Sequence, residues 1–320
     1  MALIDGQQQL QLHKRQGKVS ELEAAQDAQP HHGSTGIAHT RWATHGEPSQ
    51  ANAHPHLSGS RVALVHNGII ENHAQLREEL VAAGYEMASA TDSEVIVHLL
   101  HRELESGTPL VEALQHVVAR LEGAYAIAAI DRENPDEVVG ARMGSPLVVG
   151  VGIGENFLAS DQMALRQVTD RFIYLDEGDL AFITPSSITI LDESGAPVRR
   201  EVTRIHEAVE SVDMGDFDHY MLKEIYEQPQ ALAATFIAGG GHAVKDASFG
   251  EGAAKIFDQI ETVQIVACGT SYHAGMVARY WLEELAGVPC EVEVASEFRY
   301  RKRVQHKGTL LVMISQSGET

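Results

Sequence analysis

Residues 36–49, Gly-Ile-Ala-His-Thr-Arg-Trp-Ala-Thr-His-Gly-Glu-Pro-Ser, and residues 65–72, Val-His-Asn-Gly-Ile-Ile-Glu-Asn, decide how the rest of this chain is interpreted. Short apolar runs at 35–38 and 61–65 predict strands beside these polar segments. Segments rich in hydrogen-bond donors at the ends of buried strands are suited to holding a small polar ligand. Together the two segments predict a binding site in the first part of the chain.

Side chains in these segments have the chemistry needed to recognise an amino-acid amide. The guanidinium of Arg41 can bind a carboxylate through two parallel hydrogen bonds, which a lysine cannot do. Asn67 and the backbone amide of Gly68 are two uncharged donors for a developing oxyanion. Each feature also has a structural interpretation, since an Arg-Trp pair is often a stacked surface pair and Asn-Gly is a common turn. The density of polar residues in both segments favours a site.

The same segments resemble a known family. Residues 38–46 and 66–72, followed by Thr91-Asp-Ser-Glu94, are similar to the glutaminase domain of the N-terminal-nucleophile amidotransferases. The resemblance continues through residues 219–229, Cys268-Gly-Thr-Ser271 and Ser315-Gln-Ser-Gly-Glu-Thr320. Over the whole chain it narrows to the isomerizing glutamine:fructose-6-phosphate aminotransferases, the glucosamine-6-phosphate synthases.

This resemblance implies an enzyme that transfers the amide nitrogen of glutamine to fructose 6-phosphate, giving glucosamine 6-phosphate and glutamate. It implies no cofactor, and a homodimer for the full-length enzyme. Arg41 and Asp92 would hold the two ends of the amino-acid portion of glutamine, and Asn67 and Gly68 would be the catalytic oxyanion donors. The other implied glutamine-binding residues are Trp42, Thr44 and His45, and Trp42 would lie near the route of ammonia to the sugar.

The family's nucleophile is a cysteine at the mature N-terminus, whose α-amine serves as general base. The two cysteines of this chain, Cys268 and Cys290, are both far from its first residue. Residues 1–6 resemble a strand that the family has well inside the domain. We therefore expect a fragment that lacks the nucleophile segment and the C-terminal half, and that hydrolyses no glutamine by itself.

Composition limits the classes of function and location. The formal net charge of −21 argues against a nucleic-acid or anionic-membrane partner, because phosphate groups bind basic surfaces. No apolar run is long enough for a membrane helix, and the first residues do not resemble a signal peptide. Two cysteines without a pairing pattern suit a reducing compartment, so we expect a cytoplasmic protein. The spacing of His31, His32, His54 and His56 does not match a metal site, so no metal is expected.

The pattern of residues 1–206 predicts one α+β domain. A hairpin is predicted at 2–15, a turn at 152–156, and helices starting near residues 18, 72, 92 and 108. Strands are predicted at 124–130, 137–142, 147–151, 172–175, 180–184, 188–191 and 198–203. By resemblance, these elements form the four-layer αββα fold of the N-terminal-nucleophile amidotransferases.

Asp92 has two interpretations. Thr91-Asp-Ser-Glu94 has the form of a capping box, which would make Asp92 a first-turn residue that stabilises the helix by roughly 0.3–1 kcal/mol. The resemblance instead assigns its carboxylate to the α-amine of glutamine. Both roles are compatible.

Residues 207–218 are acidic and aperiodic, and are predicted to be a linker. The helix expected at 219–235 would bury Met221, Ile225 and Tyr226, and would kink or break at Pro229. Its solvated face would carry Lys223, Glu224 and Glu227.

Residues 219–320 are predicted to begin an α/β doubly wound domain. Two apolar runs, 263–267 and 309–314, suit buried parallel strands, and the helix between them should bury residues 274, 277, 278, 281 and 285. Hydroxyl-rich segments follow both strands, and such strand ends form phosphate crevices. Thr270 or Ser271 could equally cap the helix, and both cysteines could serve packing alone.

By resemblance the second domain is a sugar isomerase (SIS) domain that binds fructose 6-phosphate. The implied sugar-phosphate residues are Cys268, Gly269, Thr270, Ser271, Ser315, Gln316, Ser317 and Thr320. Since the chain stops after the second strand, we expect an unprotected sheet edge and exposed apolar side chains.

Two alternative functions remain open at this point. The first is another amidotransferase with the same glutaminase fold, whose second domain should carry an acidic motif for a diphosphate sugar. The second is a sugar-phosphate-sensing protein with a degenerate glutaminase. The intact polar clusters at 41–46 and 67–68 argue against such decay.

Overall fold

The computed structural model describes most of the chain, namely residues 1–41, 47–205, 215, 217–238, 249, 252–302, 304 and 306–315. Two compact units are present, Met1–Ser211 and Val212–Thr320, each with its own core. Some predicted features lie outside the described residues, including most of the predicted linker. The predicted site residues among them are Trp42, Thr44, His45, Gln316, Ser317 and Thr320.

The first unit combines helices with short strands. Its helices are α1 (Val19–Ala28), α2 (His73–Ala82), α3 (Ser93–Glu105) and α4 (Leu110–Val118). Its strands are β1 (Ala2–Ile4), β2 (Leu10–Leu12), β3 (Thr35–Ile37), β4 (His56–Ser58), β5 (Val62–Ile70), β6 (Gly123–Asp131), β7 (Val138–Met143), β8 (Val148–Val151), β9 (Asn156–Ala159), β10 (Arg171–Tyr174), β11 (Leu180–Ile183), β12 (Ile188–Leu191), β13 (Pro197–Val198) and β14 (Val202–Arg204).

A seven-stranded antiparallel sheet is the centre of this unit, with strand order β13-β12-β11-β7-β6-β5-β4. Strands β5 and β6 pair along their whole length. Because side chains alternate along a strand, Val62 and Leu64 contact the helices, whereas Ala63 and Val65 contact a second sheet layer. The central sheet is therefore buried on both faces.

Two smaller antiparallel sheets form that second layer. The sheet β2-β1-β3 contributes Ala2, Ile4 and Ile37 to a core shared with β5 and β6. The sheet β14-β10-β8-β9 contributes Val149 and Ile173 to a core shared with β11 and β12. The resulting order of helices, sheet and sheet matches three successive layers of the predicted αββα arrangement.

The helix layer follows the predicted apolar spacing. Leu76 and Leu80 of α2 are buried, and α2 is followed by Gly84, which has a φ of 92°. The predicted core face of α3 is also buried, and burial of each such side chain contributes roughly 1.5–3 kcal/mol. It consists of Val95, Ile96, Leu99 and Leu100. Pro109 precedes α4 instead of occupying its first helical position.

Strand β5 continues past the predicted end at residue 65 and includes Asn67 and Gly68. These residues pair with Ala126 and Tyr125 of β6, so the interpretation of Asn67-Gly68 as a turn is wrong. Gly68 has a φ of 124°, and an added Cβ would lie 2.0 Å from the carbonyl oxygen of Ala124. Glycine is required here because it alone adopts this conformation without a clash.

Several short strands differ from the sequence prediction. Strand β9 begins at Asn156, inside the predicted turn, and β4 was not predicted. The predicted strand at 198–203 is divided between β13 and β14, which belong to different sheets. Strands of two to four residues show too few alternations for periodicity to identify them.

The second unit contains a parallel sheet in which β15 lies between β16 and β17. Its strands are β15 (Thr262–Ala267), β16 (Cys290–Val294) and β17 (Thr309–Ile314). Its helices are α5 (Tyr220–Ala238), α6 (Ala253–Phe257), α7 (Gly269–Trp281), with a π-helical turn at Leu282–Ala286, and α8 (Ala295–Tyr300).

Helix α7 packs on this sheet by a different face from the predicted one. Gly275 is buried, and an added Cβ would lie 3.0 Å from Ile265, so the helix approaches the sheet along this side. Ala278 and Leu282 join the same core. Predicted core residues that are instead exposed are Val277, Trp281 and Leu285.

Strand β17 is an edge strand instead of the predicted buried strand. Its Leu311 and Met313 are exposed, with Met313 at 74%. This exposure agrees with the expected open sheet edge.

Helix α5 is exposed along its predicted apolar face, and of its predicted solvated residues Glu224 is exposed as expected whereas Lys223 is not. Met221, Ile225 and Tyr226 are exposed, whereas Lys223 is buried and pairs with Glu227 at 3.6 Å. The helix also continues through Pro229 without a break. Apolar spacing predicts burial only when another element packs on that face, which the sequence of one helix does not specify.

Within the described ranges, no helix combines the length and apolar character needed to cross a membrane.

We expect Gly68→Ala to lower the free energy of unfolding by at least about 3 kcal/mol, because the new Cβ meets Ala124 and the backbone is strained. Gly84→Ala is the matched control. Gly84 also has a positive φ, but nothing lies within 4 Å of an added Cβ, so a loss of about 1–2 kcal/mol is expected. Urea unfolding followed by circular dichroism measures both. Equal losses would contradict the proposed clash.

Candidate functional site

Arg41 lines a cavity of about 480 Å³ in the first unit. The guanidinium Nη1 of Arg41 donates to the carbonyl oxygen of Glu47 at 3.1 Å. The lining also includes Lys14, Arg15 and Lys18, so the wall is rich in positive charge. Such a wall favours a ligand with an anionic group, for example a carboxylate.

Asn67 lines a second cavity, of about 210 Å³, between the two sheet layers. Residues of β3, β5, β6 and β9 form most of its walls. The imidazole of His39 lines both cavities, and its Nε2 lies 2.7 Å from Oδ1 of Asn67. His39 therefore connects the wall that carries Arg41 with the strand that carries Asn67 and Gly68.

Asp92 is buried, and its carboxylate Oδ2 accepts the backbone amide of Ile70 at 2.8 Å. Ile70 belongs to the same strand as Asn67 and Gly68. Asp92 does not line the cavity of Arg41. The structure thus places the Asp92 carboxylate against the strand that carries the predicted oxyanion donors, outside the linings of both described cavities.

The predicted capping box at Thr91–Glu94 is only partly formed. Thr91 Oγ1 accepts the amide of Glu94 at 3.4 Å, but the Glu94 carboxylate accepts the amides of Ala88 and Ser89 instead of the amide of Thr91. The side chain of Asp92 makes no capping hydrogen bond. Asp92 stands at the N-cap position, one residue before the helix begins, and its carboxylate accepts the amide of Ile70. Its predicted stabilisation of the helix through the dipole stays a prediction.

A cluster of buried histidines surrounds His39 and was not predicted. The ring centroids of His39 and His54 are 4.3 Å apart, and those of His54 and His56 are 4.8 Å apart. Burial lowers the pKa of His39 and of His54. Burial, followed by the charge of Lys14, lowers the pKa of His56 to about 3, because a charged ring is poorly solvated in the core. These rings are neutral at neutral pH.

Sequence reasoning considered His54 and His56 only as metal ligands. In the part of the chain that the structure describes, no cluster of three His, Cys, Asp or Glu residues has a metal-binding arrangement. The frequency of histidine near Asn67 in the sequence was the available signal for this cluster. The contacts between these histidines could not be predicted, because they join segments that are distant in sequence.

The second unit brings the described members of the predicted sugar-phosphate set to the edge formed by the carboxyl ends of its parallel strands, namely Cys268, Gly269, Thr270, Ser271 and Ser315. Ala267 of β15 lies opposite Ile314 of β17 in a parallel pair, so Cys268 and Ser315 follow adjacent strands. Gly269, with a φ of 57°, begins α7, and Thr270 and Ser271 occupy its first turn. Their alternative role as the N-cap is wrong, because Cys268 holds that position.

Cys290 is separate from this edge. It is 3% exposed at the opposite end of the parallel pair β15–β16, and burial raises the pKa of its thiol. Its predicted role as a packing residue is confirmed.

Two domain models match the chain. A glutamine amidotransferase domain matches residues 39–167, and a SIS domain matches residues 256–320. The glutamine–fructose-6-phosphate aminotransferase (isomerizing) of Pseudomonas putida is 58% identical over the whole chain, and that of Escherichia coli K12 is 51% identical. The chain spans about half the length of these curated relatives, namely 52% of each.

A solved structure described as the allosteric regulatory enzyme of purine biosynthesis shares the fold. It is 20% identical, with a TM-score of 0.54, and the match covers 91% of this chain and 58% of that one. At this identity the likeness concerns the fold alone. Together with the two domain matches it confirms the predicted fold class, an amidotransferase domain followed by the start of a SIS domain.

The buried histidines predict that the protein becomes less stable as the pH decreases. Below about pH 6.5 the unfolded state binds protons that the folded rings do not, so the free energy of unfolding decreases until the folded pKa is reached. Between about pH 7 and about pH 5, His56 alone should contribute a loss of about 2 kcal/mol.

His56→Gln should remove that share of the loss in urea unfolding measured at both pH values. The exposed residue His32 provides the control, and His32→Gln should leave the pH dependence unchanged. An unaltered pH dependence in His56→Gln would show that His56 is protonated in the folded protein.

Proposed function

The chain belongs to the isomerizing glutamine–fructose-6-phosphate aminotransferase family, and on that premise we propose that the complete gene product transfers the amide nitrogen of glutamine to fructose 6-phosphate. The products are glucosamine 6-phosphate and glutamate. The observation that carries this proposal is the sequence identity of 58% to a member of this family, which extends over the whole chain and therefore over both matched domains.

The first unit binds and hydrolyses glutamine in this proposal. Arg41 holds the α-carboxylate, which the basic wall of the 480 Å³ cavity supports. Asn67 and Gly68 donate to the oxyanion that forms when the carboxamide is attacked. Asp92 holds the α-amine, and its link to Ile70 keeps its carboxylate beside the strand of these donors. Trp42, Thr44 and His45 complete the glutamine site.

The second unit binds fructose 6-phosphate at the carboxyl ends of its parallel strands. Backbone amides at the start of the 13-residue helix α7 favour a phosphate group. Hydroxyl groups of Thr270, Ser271 and Ser315 are placed at the same edge. The remaining residues of this site are Cys268, Gly269, Gln316, Ser317 and Thr320.

The proposed organisation assigns residues 1–206 to the glutaminase domain, 207–218 to a linker and 219–320 to the sugar isomerase domain. The complete gene product is a cytoplasmic homodimer that requires no cofactor. The net charge of −21 supports the absence of nucleic-acid and membrane partners, because polyanions are repelled by an acidic surface.

Arg41→Lys should raise the KM for glutamine of the complete gene product by at least about tenfold, since lysine cannot form the bidentate pair. The KM for fructose 6-phosphate should not change. Arg132→Lys is the control, because Arg132 bonds Ser60 on an exposed turn at 2.9 Å. Steady-state kinetics with both substrates measures these values. An unchanged KM for glutamine would show that Arg41 does not bind this substrate.

Thr270→Val should raise the KM for fructose 6-phosphate by about tenfold, because a buried phosphate would lose one hydroxyl donor. Glutamine hydrolysis measured without the sugar should persist. The matched control is Thr262→Val at the amino end of β15, where the hydroxyl bonds the carbonyl oxygen of Pro289 at 3.1 Å. Equal effects of both variants would contradict a sugar-phosphate site at the carboxyl edge. A complete gene product that binds the sugar phosphate but forms no glucosamine 6-phosphate would instead support the sensor alternative.

A further inference from the structure

A chain of hydrogen bonds leads from Asn67 into the core through three imidazoles. His39 lies 2.7 Å from Asn67 through its Nε2, and its Nδ1 lies 3.1 Å from Nδ1 of His54. Nε2 of His54 is 3.0 Å from Oγ of Ser93, which is 2.9 Å from Nδ1 of His66. The members come from the segments after β3 and before β4, from α3 and from β5. Residues that are distant in sequence are thereby joined behind one carboxamide.

The oxygen of Asn67 faces His39 in this structure, and the direction of every other hydrogen bond in the chain follows from that contact. The contact atom of Asn67 is its oxygen, which only accepts, so His39 donates from Nε2. A neutral imidazole carries one N–H, so Nδ1 of His39 accepts from Nδ1 of His54. Nε2 of His54 then accepts the hydroxyl proton of Ser93, whose oxygen accepts from Nδ1 of His66. Each proton in the chain points toward Asn67.

This assignment requires neutral rings, and the surroundings favour them. His54, His66 and Ser93 are 7%, 3% and 2% exposed. A second proton, which would give a ring a positive charge, would be poorly solvated there. The positive charge of Arg41 further disfavours protonation of His39 and His54. Lys14 acts in the same sense on the neighbouring His56, which Asp92 and Glu94 oppose.

We propose that His39, His54 and Ser93 are positioning residues that hold the Asn67 carboxamide in one orientation, with its nitrogen presented as an oxyanion donor. A carboxamide turned by half a rotation would place its NH₂ group against Nε2 of His39. That orientation would require both tautomers of His39 and His54 to reverse and Ser93 to donate to His66 instead of to His54. The proposal rests on the proposed function, because Asn67 acts as an oxyanion donor only in that reaction.

Nitrogen-15 NMR of the histidine side chains in the 320-residue chain tests the direction of the bonds without any activity. At neutral pH we expect His39 to carry its proton on Nε2, and His54 and His66 to carry theirs on Nδ1. Two-bond nitrogen–hydrogen couplings distinguish these tautomers. A proton on Nε2 of His54, or exchange between its tautomers, would overturn the proposal.

Ser93→Ala tests whether the chain acts on Asn67. The variant removes the donor to His54, so His54 should lose its single tautomer. In the complete gene product, kcat for glutamine hydrolysis should fall by at least about tenfold with little change in KM, because one oxyanion donor is no longer fixed. Ser93→Thr retains the hydroxyl and should restore the tautomer and most of kcat.

Ser58→Ala is the matched control. Ser58 is also buried, and its hydroxyl lies 2.8 Å from Nδ1 of His98, in a pair that does not lead to Asn67. This variant should leave kcat and the tautomers of His39 and His54 unchanged. Wild-type tautomers and kcat in Ser93→Ala would show that the positioning role is wrong. Absence of glutamine hydrolysis by the wild-type complete gene product would count against the proposed function, while the tautomers would still decide the direction of the chain.

Discussion

The pairing of β5 with β6 is the constraint on which the first unit depends. This ladder joins the fifth and sixth strands of the seven-stranded sheet, and its two faces receive the helices and the second sheet layer. It includes Gly68 in a conformation that only glycine tolerates, packed against the carbonyl of Ala124. The strand can therefore remain paired at the positions of Asn67 and Gly68, the two oxyanion donors of the proposed function. A rigid ladder is a good support for donors that must not move during a reaction.

Several polar groups around this strand form their hydrogen bonds within the core instead of with solvent. Asp92 uses one carboxylate oxygen on Ile70, and the histidines bond one another through Ser93. Buried polar groups are costly when unpaired, so such a network specifies one arrangement of its members. The same burial that keeps the rings neutral also makes the fold sensitive to acid. Precision at the site and sensitivity to pH have a common physical origin.

The sequence predicted those features that depend on local pattern and residue chemistry. The core face of α3 followed from helical spacing. The donor character of Arg41 and Asn67, and the acceptor character of the Asp92 carboxylate, followed from residue type. The contacts of His39 with His54 could not be predicted, because they join segments with no shared period. The predicted buried and exposed faces of a helix were wrong where the element that packs on it was unknown, as in α5, where Lys223 is buried. Asn67-Gly68 was misread because a turn and a strand with positive φ use the same dipeptide, and β6 decides between them.

The basic wall beside Arg41 has a consequence for access, because it lies within a strongly acidic protein. At physiological ionic strength, fields extend only about 8 Å from a surface. Arg15 and Lys18 of this wall are themselves exposed, so an anionic group is attracted once it comes within about that distance of them. A small zwitterion carries no net charge and is therefore little affected by the acidic remainder of the protein, while its carboxylate still experiences this local attraction. The attraction would weaken as the salt concentration rises.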